Sequence, residues 1–211
     1  CGEPSSLRLC HAHKGYAMVR VRLVDRAPRR VRAESTRVVV VEGKAVHSST
    51  PDLGVSAIGR FLSSPGLRRG VVDVSAGEST NTVPGRCEVT LADGRDDPAG
   101  RPVLDALLPA IDVIHARWRE LVGSLQPGQD VRFRPDRAVC SITKLRTLQR
   151  PDGVAVDLHL DARLLPAHDA RALLEPFRSD LAGRVAPFTV EVSVERDAGG
   201  LSVDDDDPFL R

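Results

Sequence analysis

The stretch 37-RVVVVEGKAVHSSTPDLGVSAIGRFL-62 changes character in mid-course, and that change sets the fold class. Its first part, to His47, is apolar and rich in β-branched residues, which pack well on a pleated surface. Then comes Ser49-Thr50-Pro51-Asp52, with a hydroxyl placed as an N-cap, a proline at the first helical position and an acid in the first turn. Leu53, Ala57 and Phe61 recur at helical spacing, as do Ile58 and Leu62. The sequence therefore predicts a strand over 37–47 and a helix over 51–63. His47 stands at the junction, where rigid elements hold a side chain at a surface.

On the N-terminal side, 7-LRLCHAH-13 and 16-YAMVRVRLV-24 read as strands of a hairpin turning at Lys14-Gly15, and the basic 25-DRAPRRVRAEST-36 reads as a loop. On the other side come a breaker cluster, 64-SPGLRRG-70, a short strand, 71-VVDVSA-76, a turn-rich stretch from Gly77 to Pro84, and a strand, 86-RCEVTLA-92. By composition 93-DGRDDPAGRP-102 is a linker. The longest helical pattern, 103–125, is predicted to kink or break near Pro109. Strands at 139–148 and 154–164, a helix over 168–183 ended by Gly183 and a strand at 187–195 complete the chain. Hairpins imply an antiparallel sheet with helices on one face. This is an α+β fold, ferredoxin-like (a split βαβ) with an inserted long helix.

Bulk properties exclude several classes. A formal charge of +1 gives no overall field to draw nucleic acid or an anionic membrane. No apolar run reaches the roughly 18 residues of a membrane span. Aromatic residues are only 3%, so the core must be built from Val, Leu, Ala and Ile. Cys1, Cys10, Cys87 and Cys140 form no CxxC pair, which fits reduced thiols in a cytoplasmic protein better than a zinc site or disulfide framework. The chain starts at Cys1 and ends 204-DDDDPFLR-211, which predicts a piece of a longer protein.

Chemistry-bearing residues each have two readings. His11 and His13 share a strand face, as metal ligands would, yet no carboxylate or third ligand is near in sequence, so an exposed strand face or a substrate-facing surface is the preferred reading. Asp204 to Asp207 lack the spacing of a calcium loop and read as a solvated connector. Ser48 and Ser49 beside His47 lack a nucleophile elbow and read as helix-capping hydroxyls. Asn81, in 77-GESTNTVP-84, is either a donor to a developing oxyanion or a turn former. Arg163, at the end of 154-VAVDLHLDARL-164, is either a forked carboxylate clamp or a surface ion pair.

Four segments together resemble the dinuclear-zinc peptidase and amidohydrolase family, which includes acetylornithine deacetylase, succinyl-diaminopimelate desuccinylase, aminoacylase, carboxypeptidase G and the carnosinase-like dipeptidases. They are 2-GEPSSLRLCHAHKG-15, 43-GKAVHSSTPDLGVSAI-58 (with Ser56 where many members have Asn), 77-GESTNTVPGRCEVTL-91 (with Glu78 in place of a glycine) and 157-DLHLDARLLP-166. The resemblance implies that residues 1–211 are a single lid or dimerisation domain, with a poorly matching insertion at about 93–138, whose catalytic domain flanks it in the parent. It implies catalytic roles for His47 and Asn81 as oxyanion donors and substrate-carboxylate binding by Arg163. It also implies two zinc ions in the parent's catalytic domain. No Glu-Glu pair, the family's general-base signature, occurs here. No metal ligands are expected in this segment, and it should be inactive alone. The expected partners are the chain's own catalytic domain, a second copy in a homodimer, and a small carboxylate-bearing substrate, with neither nucleic acid nor membrane. The insertion could instead make the parent monomeric, with an internal mimic of the second subunit. Deacetylase, desuccinylase and dipeptidase chemistries stay open, as does a stand-alone ligand-binding or protein-interaction module of the same fold.

Overall fold

The computed structural model describes residues 11–203. Its strands and helices are β1 (Ala12–His13), β2 (Gly15–Asp25), β3 (Arg30–Glu42), β4 (Val46–His47), α1 (Ala57–Leu62), β5 (Val71–Ala76), β6 (Thr82–Val83), β7 (Arg86–Asp96), β8 (Arg101–Pro102), α2 (Leu107–Ser124), β9 (Val139–Arg150), β10 (Gly153–Leu164), α3 (Ala170–Arg184), β11 (Thr189–Ala198) and β12 (Leu201–Ser202). Eight strands form one sheet in the order β11-β2-β10-β9-β5-β7-β3-β8, with every pair antiparallel. The fold is α+β.

Strand β10 shows why. Val154, Val156, Leu158, Leu160, Ala162 and Leu164 alternate into the core, while Asp157, His159 and Arg163 lie on the other face. Helix α2 answers with Leu107, Ile111, Ile114, Trp118, Leu121 and Val122, all buried at helical spacing. Trp118 meets Phe177 of α3 edge-to-face, with ring centroids 4.8 Å apart. One contiguous core takes side chains from all three helices, so the helices share one face of the sheet.

The quartet β11-β2-β10-β9 has the ferredoxin-like order, with α2 and α3 as its own two helices. The long helix is therefore not the inserted part. Residues 26–106 are the insertion; they carry α1 and extend the sheet through β5, β7 and β3. The two halves join where β5 meets β9 over only Ser75↔Arg146 and Ala76↔Leu145.

Several sequence expectations are corrected. Strand β1 pairs with β12, through Ala12↔Ser202 and His13↔Leu201, and not with β2. The basic 25–36 segment is mostly strand: β3 starts at Arg30, because alternate side chains of an outer strand can stay in water while the backbone pairs. The supposed linker is a turn, since β7 runs to Asp96 and the chain returns as β8 against β3. Pro51–Leu53 makes only a 3-10 turn, and α1 begins at Ala57, capped by the Ser56 hydroxyl accepting from the Gly59 N–H at 3.0 Å. The reason is long-range: Lys44 and Val55 exchange both backbone hydrogen bonds, which holds Gly54 and Val55 extended. Pro109 lies in the first turn of α2, where its missing N–H costs nothing, so the helix is unbroken. Gly183 lies inside α3, which ends at Arg184. Residues 1–10 and Asp204 to Asp207 lie outside the described residues. Among the described residues no helix is long and apolar enough to cross a membrane.

Candidate functional site

His47 sits on the short ribbon β4–β6, opposite Thr82, with Val46 opposite the buried Val83. Opposed residues of an antiparallel pair project to the same face, so His47 and Thr82 stand together. The turn after His47 is tied to the Asn81 loop by the Ser48 N–H donating to the Asn81 carbonyl at 2.8 Å. The His47 Nδ1 accepts the Ser49 N–H at 3.1 Å and lies 2.7 Å from the Ser49 hydroxyl. Because a backbone N–H can only donate, the neutral ring carries its proton on Nε2. His47 is exposed and offers that N–H outward. The Asn81 Oδ1 accepts from the Ser79 and Thr82 hydroxyls, leaving the amide NH2 without a partner among the described residues.

Arg163 reaches the same place from the C-terminal end of β10. Its Nε donates to Asp161 Oδ2 at 2.9 Å, its Nη2 donates to the Ser48 hydroxyl at 3.1 Å, and the guanidinium lies 5.5 Å from the Tyr16 ring centroid. Its side chain is 13% exposed and that of Asp161 1%. Burial pushes the Asp161 carboxyl up from its ordinary pKa, opposed by Arg163, Ser48 and His47. The Ser48 hydroxyl is close enough to draw the carboxyl down, yet Asp161 Oδ1 has no well-aligned hydrogen-bond partner among the described residues. One edge of the Arg163 fork is thus occupied, and Nη1 is left for a ligand.

The structure brings His47, Asn81 and Arg163 into one neighbourhood, with Ser48 as the residue touching both arms. Neither serine caps a helix: Ser48 serves Arg163 and Ser49 serves His47. Sequence reasoning missed Asp161, although an acid two residues before an arginine on a strand shares its face. It also passed over His159-Leu160-Asp161, which has the His-x-Asp spacing of a metal motif. There His159 Nδ1 lies 3.0 Å from Glu195, while Asp161 is held by Arg163. His13 is exposed, its Nδ1 3.1 Å from the Lys14 carbonyl. Among the described residues no group of three or more His, Cys, Asp or Glu could hold a metal ion. Beside the Asn81 loop opens a groove of about 640 Å³, walled by Gly77, Ser79 and Thr82 and floored by Ser75 and Arg146.

No family model and no curated protein sequence matches this chain. Among solved structures it is similar to an aminoacylhistidine dipeptidase from Vibrio alginolyticus, with a TM-score of 0.57 at 12% identity over 94% of this chain and 48% of that one. A tripeptidase from Staphylococcus aureus (TM-score 0.36, 13% identity, 94% of this chain, 33% of that one) and aminopeptidase PepT from Bacillus cereus (0.35, 14%, 95% and 34%) also match. Those two scores are too low to bear on the fold. The likeness to the dipeptidase is one of fold, and this chain spans about half of its length, 48%.

Proposed function

We propose that this chain is the lid and dimerisation domain of a cytoplasmic zinc-dependent metallopeptidase or amidohydrolase that cleaves an amide bond in a short peptide or N-acyl amino acid bearing a free carboxylate. The observation that carries this reading is the convergence of His47, Asn81 and Arg163 through Ser48. Two outward donors, the His47 Nε2–H and the Asn81 NH2, suit an oxygen that becomes negative as a carbonyl is attacked. Arg163, with Nη1 unengaged, suits the substrate carboxylate. A donor held outside the metal site arrives when the lid closes, which also excludes water.

The pairing of β1 with β12 supports an inserted domain, since the two connecting segments run side by side. The two zinc ions implied by the family resemblance find no ligand set among the described residues, and we assign them to the catalytic domain outside this chain. The expected partners are that domain, a second copy and the carboxylate-bearing substrate. The test uses the full-length parent. His47→Ala is expected to lower kcat by about 10²–10³ with metal content intact. Unchanged turnover would overturn the reading.

A further inference from the structure

Across the open face of the sheet, cross-strand neighbours form one row: Glu191, Arg22, Asp157, Arg146, Ser75, Glu88 and Val40. Most of its charges are matched. Arg22 binds both Asp157 oxygens, at 2.7 and 2.8 Å, and Arg86 binds Glu88 at 2.8 Å. Arg146 is the cation of the row that has no carboxylate partner among the described residues. Its neighbour on one side, Asp157, is fully taken by Arg22; on the other side the row holds an uncharged serine. Among the described residues no carboxylate lies within ion-pair distance of Arg146. Its one side-chain bond runs from Nη2 to the Gly77 carbonyl at 3.1 Å, which pins the guanidinium to the floor of the groove.

The structure assigns this groove as a carboxylate-binding site: the anion fills the gap in the charge row, over Ser75 and against Arg146. The Ser75 hydroxyl supplies a neutral donor at that position, while those of Ser79 and Thr82 are already given to Asn81 Oδ1. Glu88 is neutralised by Arg86, and Glu78 stands exposed at the mouth, where water screens its charge. The site is distinct from Arg163. Asp157, beside Arg146, is six residues along β10 from Arg163, about 20 Å at strand rise. A carboxylate held by Arg163 therefore cannot fill the groove. The occupant is either the acidic side chain of a peptide or a free carboxylic acid. The inference does not require the lid reading, because it concerns binding by this chain alone.

The test is amide NMR of this chain titrated with N-acetylglutamic acid α-amide, whose only carboxylate is on the side chain and which offers Arg163 no α-carboxylate. Saturable shifts at Ser75, Gly77 and Thr82 are expected, absent with the neutral glutamine analogue. Arg146→Gln should weaken binding at least about tenfold and Arg146→Lys less, while Glu78→Gln should tighten it. Glutarate binding more tightly than the blocked glutamate would identify a free acid as occupant, and the reverse order a peptide side chain. Equal shifts with the glutamine analogue, or an Arg146→Gln chain that binds unchanged, would overturn the site. Because His47 and Arg163 are not probed, failure here leaves the kcat test of His47 standing, and the converse holds too.

Discussion

The ferredoxin-like half and the inserted half hold their contributions to the site in opposite ways. Arg163 comes from the end of a central strand, its side chain 13% exposed and bound to a fully buried carboxylate. His47 comes from the exposed end of the short strand β4 and Asn81 from the loop before β6, with side-chain bonds only to residues one or two positions away. In the first half the proposed carboxylate binding and the folding share the same atoms. In the second they are separable, and substitutions should reveal the difference as energies of very different size.

The largest effect is expected at the buried pair. Asp161→Ala leaves the Arg163 charge enclosed without its partner, at a cost of about 3–5 kcal/mol. Urea unfolding of this chain measures it. The double variant Asp161→Ala/Arg163→Met should regain a good part of that loss, because no uncompensated charge remains. A single variant as stable as the parent chain would mean the pair is freely hydrated, and the contrast between the halves would collapse.

Next in size is the seam between them. His115 of α2 lines a cavity of about 170 Å³ with Pro51, Ser56 and Val83 from one half and Cys140 and Ile142 from the other. Burial foremost, then Arg119, lowers its pKa from 6.5 to about 4, against a smaller opposing pull from Asp112. As pH falls from 6.5 to about 4, the unfolded chain takes up a proton that the folded chain refuses. Stability is therefore lost on acidification through that window, by roughly 3 kcal/mol. Asp161 acts with the opposite sign: its raised pKa favours the folded state at low pH. The readout is thus the difference between this chain and His115→Gln, which should lose correspondingly less stability between pH 7 and 4. Identical pH profiles would place His115 in water.

Much of this was legible in the sequence wherever a pattern was local. The apolar alternation of β10, the stripe of α2 and the turn signals around Asn81 all read correctly in kind. The motif positions His47, Asn81 and Arg163 came from segments far apart in the chain and meet at Ser48. What the sequence hid depended on distant partners. The start of α1 is decided by Lys44 capturing Val55, which no local cap signal at Thr50 could report. Strand β3 reads as a loop over its arginines when charge is equated with solvation of the backbone. Asp161 was within reach, two residues before Arg163 on a strand, but its importance lies in burial that only packing reveals.

A smaller effect is expected at Gly77, which holds the Asn81 loop against β9. Its φ is +83°, and a Cβ there would collide with the Thr143 carbonyl. That carbonyl is backbone of a central strand and cannot easily give way. Gly77→Ala should cost at least about 2 kcal/mol, and denaturant midpoints check it. Because the glycine's carbonyl also receives Arg146, the same variant should disturb the groove's amide resonances.

The smallest effect on stability belongs to the residue with the largest proposed effect on chemistry. His47 is exposed, and its ring touches only the Ser49 hydroxyl and N–H. Truncation leaves no buried donor unpaired, because Ser49 can bond to water in its place. His47→Ala should therefore unfold within about 0.5 kcal/mol of the unaltered chain. Should it instead lose more than about 1 kcal/mol, the ring would be part of the packing of the ribbon against β9, and a fall in kcat could no longer be credited to the lost Nε2 donor. A neutral result would exclude lost folding as the cause of a lower kcat and leave the missing Nε2 donor as the explanation to test.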